Sequence, residues 1–250
     1  MVHLAEIFTL LGAGVLAGVA STVASLASVV SYPVLLAFGL SPVSANMTNT
    51  VALVFAGAGA AAGSRPELTG QGARVRRLGP VTALGGAAGA ALLLLAPARA
   101  FQIVAPFLIG AASLLLIIQP MITGLTARLR GEHSWLLLAA LFGVAAYIGY
   151  FGAAGGILML AVLTAMLDQP LARNIAVKNV VSGLANATAA VGFALFGQVL
   201  WAAAAPLAAG FLIGGWIGPA LVRRLPAQAV RIAIGAFGLI LAVTLGIRTY

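Results

Sequence analysis

Residues 150–160 read YFGAAGGILML, with three glycines and two alanines between Gly152 and Gly156. They sit at the centre of an uncharged stretch of 33 residues, Trp135–Leu167. As one helix that stretch would be about 50 Å long. A bilayer core is about 30 Å thick, so the segment is too long for one upright crossing and too short for two. Glycine costs about 1 kcal/mol relative to alanine inside a helix, and a cluster at the centre predicts a break. A second uncharged stretch of 33 residues, Ile7–Gly39, carries small and hydroxyl residues in the same place, between Ser21 and Pro33. There Ser25, Leu26, Ala27 and Ser28 align with Ala153, Ala154, Gly155 and Gly156. Each segment reads as a steeply tilted broken helix or as a re-entrant hairpin of two half-helices. Small residues also serve close helix packing, and that reading stands beside the first.

The surrounding chain makes a membrane protein of this. Only 7% of the 250 residues are charged and 62% are hydrophobic, whereas soluble domains average roughly 25% charged residues. Uncharged runs at Ile7–Ser64, Leu78–Ala98, Ala100–Ala127 and Asn179–Val222 each reach the ~20 residues a spanning helix needs. They lack the alternation of a membrane β-barrel. The net charge of +9 fits cytoplasmic loops rich in arginine, so no nucleic-acid partner is expected. With no cysteine in the chain, disulfides, thiol chemistry and cysteine-ligated metals are excluded. The opening MVHLAEIF lacks a basic n-region, so the first helix is expected to be retained.

The halves repeat at an offset of 128 to 129 residues: Pro42 and Asn46 recur as Pro170 and Asn174. Gly85, Gly86, Gly89, Leu92 and Pro97 likewise recur as Gly214, Gly215, Gly218, Leu221 and Pro226. Three further crossings per half are predicted, near 43–63, 78–96 and 101–122, then 174–195, 201–222 and 230–248. If both broken segments return, Arg65, Arg74, Arg76, Arg77, Arg128, Arg130, Arg173, Lys178, Arg223, Arg224 and Arg231 share one face. Arg99 and Arg248 take the other, a split of 11 to 2. A single crossing of each segment gives 7 to 6, so the positive-inside rule selects the first count. Corresponding loops carry opposite charge loads, as inverted repeats do. The predicted fold is an all-α polytopic membrane protein. It forms one domain over 1–250, with inverted repeats at about 4–123 and 134–249.

Polar residues are confined to few places. Ser44, Asn46, Thr48, Asn49 and Thr50 open one helix after the first break. Asn174, Lys178, Asn179, Ser182, Asn186 and Thr188 lie along its counterpart, with Asn179, Ser182 and Asn186 on one helical face. Ser44 and Asn46 also read as ordinary N-caps. Lys178, the only lysine, either snorkels to the interface or faces a cavity where a cation would favour an anion. The acids are Glu6, Glu67, Glu132 and Asp168, and the histidines His3 and His133. All lie in or near loops, so a proton relay through the membrane centre, a catalytic triad or a clustered metal site is hard to build. The chain is not expected to be an enzyme, and no cofactor or metal is implied.

At SLASVVSYPVLLAFGLSPVSANMTNTVAL, APFLIGAASLLLIIQP, YIGYFGAAGGILMLAVL, NIAVKNVVSGLANATAAVGF and GGWIGPALVRRLP the sequence resembles the TauE/SafE family. These are exporters of sulfite and organosulfonates, also called toluene-sulfonate uptake permeases. Where many members carry glycines in the first break, this chain has Ser25, Ala27 and Ser28. The resemblance implies a secondary transporter of a small, sulfur-containing anion in the cytoplasmic membrane. Carried onto this chain, it implies a site built from Ser25, Ser28, Thr48 and Asn49 with Gly152, Gly155, Gly156, Lys178, Asn179 and Asn186. A carrier for another organic anion and a non-transporting membrane subunit are the alternatives. The expected partners are the anion and the lipid bilayer; a homo-oligomer is compatible with the sequence. Both termini are expected on the non-cytoplasmic side. Because the chain is naturally cysteine-free, Arg74→Cys and Arg223→Cys variants test the topology. Both should react with an impermeant thiol reagent from the same face, and labelling from opposite faces would overturn the inverted arrangement.

Overall fold

The computed structural model describes residues 4–24, 27–101, 134–152 and 155–222, together with 103, 104, 107, 108, 110, 111 and 243. Among them all regular structure is helical. In chain order the helices are α1 (Leu4–Ala24), α2 (Ala27–Ala37), α3 (Pro42–Gly63), a single turn α4 (Arg65–Leu68) and α5 (Gly72–Leu95). The second half gives α6 (Trp135–Tyr150), α7 (Gly155–Met166), α8 (Leu171–Phe196) and α9 (Trp201–Val222). Leu4–Thr22, Gly72–Leu95, Leu171–Phe196 and Trp201–Ala220 are long and apolar enough to cross a membrane. Large apolar side chains such as Leu84, Leu92, Val191, Leu195 and Phe196 are exposed on the outside of the bundle, where only lipid would cover them without cost. The crossings predicted at 230–248 and over most of 101–122 lie outside the described residues.

Both interruptions are present. The first is narrower than Ser21–Pro33: helix resumes at Ala27, and Pro33 lies inside α2. Ser21 and Thr22 belong to α1. The second falls between Tyr150 and Gly155. In a continuous helix residues 148 and 155 would be about 10.5 Å apart along the axis. Here a side chain on Gly155 would collide with that of Ile148, so the chain doubles back. Gly152 has φ 75°, a left-handed conformation that glycine adopts without steric penalty. Gly39 (φ 81°) closes α2 in the same region of backbone space. There Leu40 N–H donates to Leu35 O and Gly39 N–H to Leu36 O, the paired bonds of a Schellman motif.

Helix directions follow from which residues meet. Gly14, Gly18 and Thr22 of α1 meet Gly210, Gly214 and Gly218 of α9 in that order, so the two run parallel. Ala56 and Gly63 of α3 meet Gly215 and Pro219, so α3 runs with them. In the same way Gly85 and Gly89 of α5 meet Ala145 and Tyr150 of α6. Gly86 and Ala90 of α5 meet Ala185 and Gly192 of α8, advancing in the same direction. One body is therefore α1, α3 and α9, and the other is α5, α6 and α8. They face opposite ways, because the start of α3 touches the end of α8 (Ser44 Oγ donates to Gln198 O, 2.7 Å). Since α3 begins at the end where α1 begins, α2 must return toward it, and α7 likewise beside α6. Both 33-residue segments are thus hairpins with one long and one short arm.

This arrangement brings Arg65, the N-terminal turns of α5 and Arg173 to one end of the bundle. Arg74, Arg76 and Arg77 lie inside α5 rather than in the loop before it, because α5 starts six residues ahead of the predicted 78. Aliphatic arginine stems let a helix extend beyond the apolar slab. At that end Arg74 donates to Gln71 Oε1 and to Gln169 Oε1 (2.6 Å), and Gln169 donates to Asn174 Oδ1 (2.7 Å).

The close seams use backbone on backbone, which small residues permit in lipid. A Cβ on Gly86 would come 2.7 Å from Ala185 Cα, and one on Gly215 3.2 Å from Ala56 Cα. Gly86→Val and Gly215→Val should each cost roughly 1–3 kcal/mol by overpacking, measured as earlier thermal loss of monodispersity in detergent. Gly143 has open space around it, and Gly143→Ala should leave that transition unchanged or raise it.

Candidate functional site

A cavity of about 50 Å³ lies between the two hairpin turns, α3 and α8. From the first half it is lined by Ser21 at the end of α1, by Ala27 and Ser28 at the start of α2, and by Leu53, Gly57 and Ala60 of α3. The second half supplies Ile148, Gly152 and Gly156 around its own turn. Lys178, Asn179, Ser182, Gly183 and Asn186 of α8 complete it. Two short helices thus begin at one cavity. The first N–H groups of a helix have no partner within it, and each helix start carries about half an elementary positive charge.

Lys178 adds a full charge. It is buried, 3% exposed, and its Nζ donates to Ser21 O at 3.4 Å; it does not snorkel to an interface. Next to it Asn179 is 5% exposed. Asn179 Nδ2, Ser182 Oγ and Asn186 Oδ1 are buried without a hydrogen-bond partner among the described residues. An orphaned buried polar atom costs about 1–3 kcal/mol. Three such atoms lie along one face of α8, in the cavity that takes in the lysine. Among the described residues no acidic side chain lines this cavity, and no cluster of potential metal ligands occurs.

The expected residues do not all meet at the cavity. Ser28, Gly152, Gly156, Lys178, Asn179 and Asn186 line the cavity. Gly155 packs against Ile148 and shapes the turn. Asn49 sits one layer back, donating to Ser28 Oγ (3.1 Å) and accepting from Ser31 Oγ (2.5 Å). The same Ser31 hydroxyl lies 3.0 Å from Ala27 O and shares its one proton between the two acceptors, so Asn49 and Ser31 together brace the start of α2. Thr48 is elsewhere: its hydroxyl accepts from Leu200 N–H at 3.0 Å and caps the approach to α9. Asn46 donates to Tyr150 O at 2.9 Å and holds the end of α6. Ser25 lies outside the described residues. Ser21, Ser182 and Leu53 were not expected in the lining. The helical spacing of Ser182 with Asn179 and Asn186 was the one signal for any of them.

A second, larger cavity of about 160 Å³ adjoins the first through Asn179 and is lined by Thr22, Ser64, Glu67, Ala172, Ile175 and Pro219. Ser64, Glu67 and Ala172 belong to the arginine-rich end, so this space leads from that end toward the buried site. Glu67 Oε2 has no hydrogen-bond partner among the described residues.

Residues 10–245, nearly the whole chain, match the family model described as sulfite exporter TauE/SafE. The chain belongs to the TauE/SafE family. No curated protein and no solved structure matches it. As a TauE/SafE protein with several membrane-length helices, it is a multi-pass membrane protein of a transporter family. The bracing role of Asn49 can be tested apart from transport. Asn49→Ala strips partners from Ser28 and Ser31 and should destabilise the protein by about 1–3 kcal/mol. An unchanged detergent melting temperature would remove that role.

Proposed function

We propose that this chain is a secondary transporter that binds a small sulfur oxoanion, sulfite or a small sulfonate, in the cavity between its hairpin turns. One observation carries the reading: the starts of α2 and α7, Lys178 and the Asn179 amide, which has no partner among the described residues, converge on a cavity that none of the described acids lines. Two half-charges and one lysine sum to about two positive charges, which a doubly or singly charged anion offsets. The volume of about 50 Å³ holds roughly three to five water-sized groups at roughly 10–15 Å³ each. Sulfite has four heavy atoms and fits that size. An aromatic sulfonate would require the cavity to widen.

The opposed directions of α1, α3 and α9 against α5, α6 and α8 support inverted repeats and alternating access by two bodies. By the positive-inside rule the arginine-rich end faces the cytoplasm. The Asn179–Glu67 space is then an inward vestibule, and the start of α1 lies on the non-cytoplasmic side. A carrier for a different organic anion shares this geometry and is separated by substrate profile.

Purified protein in liposomes tests the proposal. Sulfite or methanesulfonate should cross at rates well above those of protein-free vesicles; no flux from correctly folded protein would count against transport. Lys178→Ala should abolish anion binding and Lys178→Arg should retain part of it. Unchanged binding in the alanine variant would remove the countercharge role.

A further inference from the structure

We infer that the α3 wall, and Leu53 in particular, makes this cavity selective for oxoanions with three oxygens and one non-hydrogen-bonding apex over tetrahedral anions with four oxygens. The inference rests on the anion-binding reading above and specifies its selectivity. The two long helices that frame the cavity occupy corresponding positions in the repeat, yet they present opposite chemistry. Gly86 packs on Ala185 as Gly215 packs on Ala56, which sets an offset of 129 in the middle of the two helices; there Ser182 corresponds to Leu53 and Asn186 to Gly57. All four positions line the cavity. The α8 wall therefore offers an ammonium, a hydroxyl and two amides, whereas the α3 wall offers a leucine, a glycine and Ala60. Backbone N–H groups in the middle of α3 are committed to its own helix, so that wall supplies no donor.

An anion held by Lys178, Asn179 and the two helix starts must turn some part of itself toward Leu53. Sulfite can present its lone pair, and a sulfonate its carbon substituent; neither needs a hydrogen bond. Sulfate has no such face. Its fourth oxygen would be buried against Leu53 without a donor, and a buried acceptor left unpaired is penalised. Leu53 is itself 8% exposed, so water has little access to relieve the mismatch. Near-equal size and equal charge then do not rescue sulfate binding.

The experiment measures binding of sulfite and sulfate to the purified full-length protein near neutral pH, where a substantial share of the sulfite is, like sulfate, a dianion, with methanesulfonate as a third ligand. Sulfite and methanesulfonate should bind, and sulfate should bind roughly tenfold or more weakly than sulfite. Leu53→Ser, which copies the residue at the corresponding position of α8, should narrow the sulfite-to-sulfate ratio by raising sulfate affinity. Leu53→Thr provides the same hydroxyl should the serine variant not fold, with folding judged by the gel-filtration profile. Equal binding of sulfite and sulfate by the unaltered protein, or an unchanged ratio in a folded variant, overturns the selectivity while leaving the anion site standing. Binding of none of the three overturns the site reading and this inference with it.

Discussion

A peptide group in hydrocarbon has no water to bond with, and each one left unpaired costs several kcal/mol. Two interrupted helices in one bundle multiply that problem, since every helix start exposes N–H groups. Much of the interior is arranged around it. Both starts open onto one polar cavity, Asn49 and Ser31 tie down the first turn of α2, and Asn46 holds the carbonyl of Tyr150. Lys178 poses the same difficulty with opposite chemistry, a buried cation far from bulk water. In the reading proposed above, an anion between them would satisfy the donors and the charge together, and the interruption of the two helices and the polarity of the cavity would be one feature.

The packing explains how such a site stays assembled. The α1–α9, α3–α9, α5–α6 and α5–α8 seams are close enough for glycine to be needed at Gly18, Gly59, Gly86 and Gly89. Contacts of that kind tolerate little internal rearrangement. Each three-helix body is therefore stiff, while the cavity falls between bodies, where α3 and α8 meet at Gly57 and Gly183. On the proposed reading, ligand contacts drawn from both bodies would allow a bound anion to bias how they sit against each other, which is what coupling requires energetically.

Much of this was legible in the residues. Segment length against bilayer thickness fixed the two breaks, and the charge census pointed to hairpins; both arguments use quantities that survive folding unchanged. The cavity residues Lys178, Asn179 and Asn186 stood out because polar groups in a membrane helix need partners. Thr48 shows where the reasoning stops. A hydroxyl near a helix start looks the same whether it meets a ligand or caps Leu200, and only the proximity of residues 152 apart in sequence tells them apart. Asn49 was placed in the site but acts through Ser28. Leu53 was silent for a simpler reason: an apolar residue in an apolar helix carries no signal until its neighbours are known.

The main partners of α5 are α6 and α8, and those of α9 are α1 and α3. Each half of the chain thus hands one long helix to the other. Were the gene cut between residues 111 and 134, neither fragment could bury the Gly85–Gly89 or the Gly214–Gly218 face on its own helices. The fragments would have to find each other in the membrane to become stable.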